Sequence, residues 1–265
     1  MKPTLVREQT LTYRTVTSSI KCLTRILCRI DGAQLEQVPG QGPLIIVINH
    51  VNFLEAPIFY THLDPRPLTG FVKAEQLEHP IFGPLLIDLW GGIPIRRGEA
   101  DVTAFRQAFE ALEEGQILAV APEGTRSGHG RLQQGHPGTA LLALRSGAPV
   151  LPIVCYGGEI FWNNLRRLRR TDFHAVVGQS FYLDASGDRV TRQVRQRMTD
   201  EIMYQLASLL PPAYRGVYSD MSAATETYLR FPPGAESNLS RVQDLVEPKC
   251  YDNKTSEVSR ERLCR

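Results

Sequence analysis

No stretch of these 265 residues approaches the roughly 18 to 20 consecutive apolar residues that span a bilayer, so any contact with lipid is expected from one side. Charge of one sign is missing too: 30 Lys and Arg face 28 Asp and Glu, a formal net charge of +2. That balance argues against a nucleic-acid binder, and any anionic partner has to be met locally. Cysteine is sparse. Cys22, Cys28, Cys155, Cys250 and Cys264 show no CxxC spacing and are odd in number, which argues against a disulfide framework and fits a reducing, cytosolic setting. The opening Met1-Lys2-Pro3-Thr4 leads to Arg7, Glu8 and Gln9 rather than to the apolar core of a signal peptide. Internal repeats are absent. The 42% hydrophobic content is ordinary for a soluble chain long enough to bury a real core.

What is present centres on Asn49-His50-Val51-Asn52-Phe53-Leu54-Glu55-Ala56-Pro57, directly after the apolar run Leu44-Ile45-Ile46-Val47-Ile48. A histidine and an acid five positions apart lie about 140° apart around a straight helix and cannot meet on one face. A buried strand ending at Ile48, a turn carrying His50 and a helix opening near Glu55 and Pro57 would bring them together. Proline is tolerated in the first helical turn, and the helix dipole favours a carboxylate there. Glu55 could then hold one ring nitrogen of His50 and leave the other as a base. Taken alone, the commoner outcome for such a pair is a loop histidine and a surface acid, so the weight falls on the segments that follow.

Residues 11–31 carry Tyr13, Val16, Ile20, Leu23, Leu27 and Ile30 at spacings of three and four, an amphipathic helix with Arg14, Lys21, Arg25 and Arg29 behind it. This helix could pack its stripe on the domain, lie in an anionic interface, or do both at its two ends. Leu68 to Lys73 is a short strand, and Ile81 to Trp90 a buried helix or an apolar lining. Gly91 to Gly98 delivers Arg96 and Arg97 into a glycine-flanked turn, and arginine suits a phosphate. A helix bearing Val102, Phe105, Phe109 and Leu112 stops at Gly115. Strand Ile117 to Ala121 then runs into Pro122-Glu123-Gly124-Thr125-Arg126-Ser127, where a glycine and several donors sit at a strand end, the usual place for ligands in α/β sheets. A helix Thr139 to Arg145, a strand through Pro149-Val150-Leu151-Pro152, an aromatic and arginine-rich stretch Glu159 to Arg170, a strand from Phe173 to Val177 or on to Leu183, and a helix Val190 to Leu210 follow. The polar stretch beyond Tyr218 shows no periodicity and is expected to be a tail without a core.

With these segments in order, Leu44 to Tyr218 resembles the glycerolipid acyltransferase family, best known for the lysophosphatidic acid acyltransferases. Asn49-His50 through Glu55 is similar to the histidine and acid block. Gly91 through Arg97 matches the block ending in a substrate-binding arginine, Glu123-Gly124-Thr125-Arg126 the most diagnostic block, and Pro149 to Pro152 the proline-bearing one. The family usually has aspartate where Glu55 stands, and often lysine where His136 stands. The resemblance implies an α/β fold, a single domain with a mixed central sheet flanked by helices, preceded by an N-terminal amphipathic helix. The expected divisions are 1–39 for the helical segment, 40–218 for the acyltransferase domain and 219–265 for the tail.

It further implies that His50, backed by Glu55, takes the proton of an acceptor hydroxyl as that oxygen attacks a thioester. No acyl-enzyme is required, because no serine or cysteine stands ready as nucleophile. Asn49, Lys73, Arg96, Arg97, Glu123, Gly124, Thr125, Arg126, Ser127 and His136 are expected around the acceptor. No permanently bound cofactor is implied: the donor is acyl-CoA or an acyl carrier protein, and the acceptor a lysophospholipid, lysophosphatidic acid foremost. The expected setting is peripheral, on the cytoplasmic face of an anionic membrane, without nucleic acid. The rival expectations are another hydroxylated lipid acceptor, a non-catalytic lipid-binding protein, and a thioesterase.

Overall fold

The structure, a computed structural model, describes residues 10–79, 83, 85–96 and 101–240. Its centre is a mixed sheet of β1 (Cys28–Asp31), β2 (Leu44–Ile48), β3 (Leu68–Lys73), β4 (Ile93–Ile95), β5 (Ile117–Val120), β6 (Val150–Tyr156) and β7 (Thr171–Val177). The strand order is β1-β7-β6-β2-β5-β3-β4, and every neighbouring pair is parallel except β6 with β7. This is the mixed α/β architecture that the sequence predicts.

β2 lies near the middle and is buried throughout, as a continuous apolar run should be when both sheet faces are covered. Ile45 and Val47 pack on one side with α3 (Val102–Glu113), α4 (Gly138–Ser146) and α6 (Arg192–Leu209). Leu44, Ile46 and Ile48 pack on the other with α2 (Glu55–His62) and with Phe161 from α5 (Phe161–Arg166). The alternation of side chains along a strand thus builds two cores from five residues.

The first helix, α1 (Leu11–Leu27), is shorter than its apolar period suggests. Cys28 turns extended, and Arg170 Nη2 caps the helix end by donating to the carbonyls of Arg25 and Cys28. Residues 28–31 then become β1 beside β7, so the expected division at residue 40 falls inside the sheet domain. Nor is Leu23 turned inward: Thr17 and Thr24 are the buried residues of α1, while Leu23 and Ile26 face solvent.

Pro152 sits within β6 without breaking the sheet because the β7 ladder begins one residue later, at the Ile153–Val177 pair. Opposite Pro152 the N–H of Gly178 donates to its carbonyl, and a side chain at 178 would collide with Pro152, Leu209 and Asn238. β7 therefore ends at Val177. The expected extension to Leu183 is a separate strand, β8 (Tyr182–Leu183), paired with β9 (Leu229–Arg230). β9 also corrects the tail expectation for residues 219–240: Tyr228, Leu229 and Asn238 are buried against the domain. Residues 241–265 lie outside the described residues, as does part of the apolar stretch 81–90, of which Leu85–Leu89 forms a π-helical turn and Trp90 stacks on Tyr60 at 4.6 Å.

Candidate active site

Strands β6, β2 and β5 end side by side, and the chain leaving each end contributes to one site. Leaving β2, Asn49 is buried, and its amide bridges to β6: Nδ2 donates to the Cys155 carbonyl at 2.8 Å, and Oδ1 accepts from the Cys155 N–H at 2.7 Å. Asn49 therefore ties two strand ends together, a structural task in place of the acceptor contact expected of it.

His50 follows and is held by its backbone. Its N–H donates to Glu123 Oε1 at 3.0 Å, and its carbonyl accepts from the Ser127 N–H at 2.8 Å. The turn after it is shaped by Asn52, whose Oδ1 accepts from Leu54 N–H at 2.8 Å in an Asx-type turn and whose Nδ2 donates to the Gly158 carbonyl at 2.6 Å. The turn delivers Glu55 as the first residue of α2, buried, with its carboxylate accepting from the Asn52 N–H. His50 Nδ1 lies 3.0 Å from Glu55 Oε2. With Nδ1–H donating to the carboxylate, Nε2 is left as the acceptor nitrogen. The bend that the five-residue spacing demands is thus made, and by the elements expected.

Nε2 is approached by Arg126, whose Nε lies 3.3 Å away. The loop that carries Arg126 turns at Gly124, with φ of +65°, a conformation glycine adopts freely; the His136 ring covers its Cα closely enough to leave little room for a side chain. Thr125 and Arg126 are exposed, while Ser127 Oγ accepts from the Gly130 N–H. Glu123 does not face this surface. It is buried, accepts from the backbone N–H groups of His50 and Gln133, and its carboxyl is pushed up to about 7 by burial, against the lowering effect of those two bonds.

The structure therefore gathers His50, Glu55, Gly124, Arg126, Ser127 and His136 at one place, with Asn49 and Glu123 beneath them. Lys73 stands two places away in the sheet, at the end of β3, paired with Glu75 at 3.5 Å. Arg96 is exposed after β4, its N–H donating to Asp101, and Arg97 lies outside the described residues. Asn52 was missed by sequence reasoning. Its position two residues before Leu54, an Asx-turn spacing, was the available signal. The half-buried pair of Tyr214 and Glu159, whose Oη donates to Oε1 at 2.7 Å beside Gly130, left no such local sign.

Residues 29–156 match the family model described as Acyltransferase. A 1-acyl-sn-glycerol-3-phosphate acyltransferase of Pseudomonas aeruginosa is 27% identical over 209 residues, covering 77% of this chain and 79% of that protein. The chloroplastic 1-acyl-sn-glycerol-3-phosphate acyltransferase BAT2 of Brassica napus is 31% identical over 180 residues, covering 66% of this chain and 51% of that protein. The chain thus spans about half the length of this plant relative. Among solved structures, the 1-acyl-sn-glycerophosphate (LPA) acyltransferase PlsC of Thermotoga maritima matches with a TM-score of 0.52 at 21% identity, covering 75% of this chain and 80% of that one, a likeness of fold.

Proposed function

We propose, on the premise that this chain is related to the acyltransferases through residues 29–156, that it moves a fatty acyl group from a thioester to the free hydroxyl of a lysophospholipid. Lysophosphatidic acid is the foremost acceptor, giving phosphatidic acid, as the names of the relatives suggest. The observation that carries the reading is a histidine whose inner nitrogen meets a buried carboxylate at 3.0 Å and whose outer nitrogen faces an exposed arginine.

In this mechanism the acceptor oxygen attacks the thioester carbonyl as its proton passes to His50 Nε2, and Glu55 stabilises the imidazolium that forms. The C–S bond then breaks, and the departing thiolate takes the proton. Arg126, with Thr125 and Ser127 beside it, offers donors to the acceptor phosphate and orients the attack. The donor thioester belongs to CoA or to an acyl carrier protein. Cys155 is unsuited to act as a nucleophile: it is buried, and burial, with the Glu55 charge adding to it, pushes its thiol well above the usual range.

The proposed setting is the cytoplasmic face of an anionic membrane, touched peripherally. No helix among the described residues is long and apolar enough to cross a membrane. Instead Leu23 and Ile26 of α1 are 54% and 62% exposed, and Arg170 ties that helix end to the α5–β7 loop. Leu168 at the tip of the loop is 95% exposed and held at a φ of +52°, unusual for leucine, while Arg166, Arg167 and Arg169 surround it. On α5, Trp162 is exposed and its ring lies 5.3 Å from Phe53 of the His50 turn. Apolar tips ringed by arginines suit an anionic headgroup layer, next to the site that would take lipid from it.

The test is acyl transfer from palmitoyl-CoA to lysophosphatidic acid by the purified protein. His50→Ala should lose roughly 10²- to 10⁴-fold in kcat, the usual worth of a general base, and Glu55→Asp should keep measurable turnover. If the parent makes no phosphatidic acid while Glu55→Asp does, the glutamate has disarmed the site and the reading fails for the natural chain.

A further inference from the structure

The tautomer set by Glu55 leaves one acceptor lone pair on the His50 ring, at Nε2, and it is the lone pair that the reaction needs. It is already occupied. Arg126 Nε–H donates to it across 3.3 Å. A guanidinium does not surrender its proton, so the base stays blocked until this bond opens.

Two observations make the bond an openable one. The backbone on either side of Arg126 is fixed, through the turn at Gly124 and through the Ser127 N–H on the His50 carbonyl, whereas the side chain is exposed. Among the described residues no carboxylate forms an ion pair with Arg126, so a single weak acceptor, a neutral imidazole nitrogen, holds the guanidinium over the base. A phosphate is a far stronger partner: it is charged and offers two oxygens to the two-pronged donor.

We propose that Arg126 gates His50, covering Nε2 while the acceptor site is empty and releasing it when an acceptor phosphate draws the guanidinium away. The gate rests on the acyltransferase reading and adds to it a specificity device, because the charge of the acceptor becomes the trigger for the base. Water lacks that charge. The reaction thereby suppressed is hydrolysis, in which a water oxygen attacks the thioester carbonyl, its proton passes through Nε2 to the departing thiolate, and fatty acid and free thiol result. An uncharged monoacylglycerol, although it carries a hydroxyl, would likewise leave the gate shut.

The experiment compares the parent with Arg126→Ala. Thiol release from palmitoyl-CoA without acceptor should rise on the order of tenfold in the variant, the weight of one charge-assisted hydrogen bond, while transfer to lysophosphatidic acid falls. The preference for lysophosphatidic acid over monoacylglycerol should shrink as well. A residue that merely supports the loop would lower hydrolysis and transfer together, and that result overturns the gate. A second readout needs no turnover: diethyl pyrocarbonate modifies unprotonated imidazole nitrogen, and its rate at His50, followed by peptide mass, should be faster in Arg126→Ala. Equal rates overturn the gate whatever the substrate. If the parent fails to acylate lysophosphatidic acid yet His50 is unmasked in the variant, the acceptor reading falls and the covered base stands. If the parent transfers normally and neither readout moves, only the gate falls.

Discussion

Near neutral pH the Glu123 carboxyl is poised between its two forms, because burial pushes it up to about 7 while the N–H groups of His50 and Gln133 pull the other way. Its folded value lies above its unfolded one of 4.5, so the stability it contributes is full below about pH 4.5 and is lost as pH rises through about 7. The displacement corresponds to about 3 kcal/mol. Urea unfolding of the parent and of Glu123→Gln should therefore show a stability difference that moves by up to about 3 kcal/mol against the parent between pH 5 and pH 8. A difference flat with pH would mean that the buried carboxyl is not strained. The amide also brings a pH-independent loss, since both glutamate oxygens accept backbone N–H groups and only one amide oxygen can. At this scale the His50 and Glu55 pair was legible, because the spacing forced a bend and the flanking run and proline said where. Glu123 and Asn49 were placed with the substrate, since a polar residue in a loop string gives no local sign that it points inward.

Elements were legible where one periodicity held and failed where two could. Leu27 and Ile30 continue the helical stripe of α1, so Cys28–Asp31 reads as helix although it pairs with β7; the partners that take it out of the helix, β7 and Arg170, are distant in sequence. β9 is two residues long in a polar stretch, below any pattern, and what holds it is the polar side of α6. Glu201, buried in that helix, accepts from Thr225 Oγ1 at 2.7 Å and from the N–H groups of Thr227 and Tyr228 at 2.9 Å each. One turn later Gln205 Oε1 accepts from the N–H of Asn238, itself buried. A buried glutamate and glutamine four apart on the helix that also buries Met198 and Ile202 were the missed sign that another segment lay on top. Glu201→Ala leaves buried backbone donors unpaired and should cost about 2 to 4 kcal/mol, lowering Tm by several degrees and exposing the Arg230 bond to trypsin. An unchanged melting curve would show that residues 219–240 are held by apolar contact alone.

For the whole molecule, a net charge of +2 conceals an uneven distribution, and the membrane proposal turns on that unevenness. Arg166, Arg167 and Arg169 stand exposed around Leu168, and among the described residues it is Arg170 that caps the end of α1, so the other three are the charges to remove without unfolding that helix. Near an anionic surface each basic residue is worth about 1 kcal/mol, and the attraction fades within a Debye length of about 10 Å at 0.1 M salt. The parent should sediment with phosphatidylglycerol vesicles at low ionic strength and be partly released at high salt. Reversing Arg167 and Arg169 to glutamate changes the sign of two of the three charges and should weaken binding by at least tenfold. Leu168→Asp should weaken it also at high salt, where only insertion remains. Transfer to substrate dispersed in detergent should survive these changes, because none of the three residues belongs to the His50 site. Loss of vesicle binding with retained turnover in detergent would separate docking from chemistry, whereas unchanged binding in both variants would remove this face from consideration and return the question to how a lipid with a buried tail reaches His50.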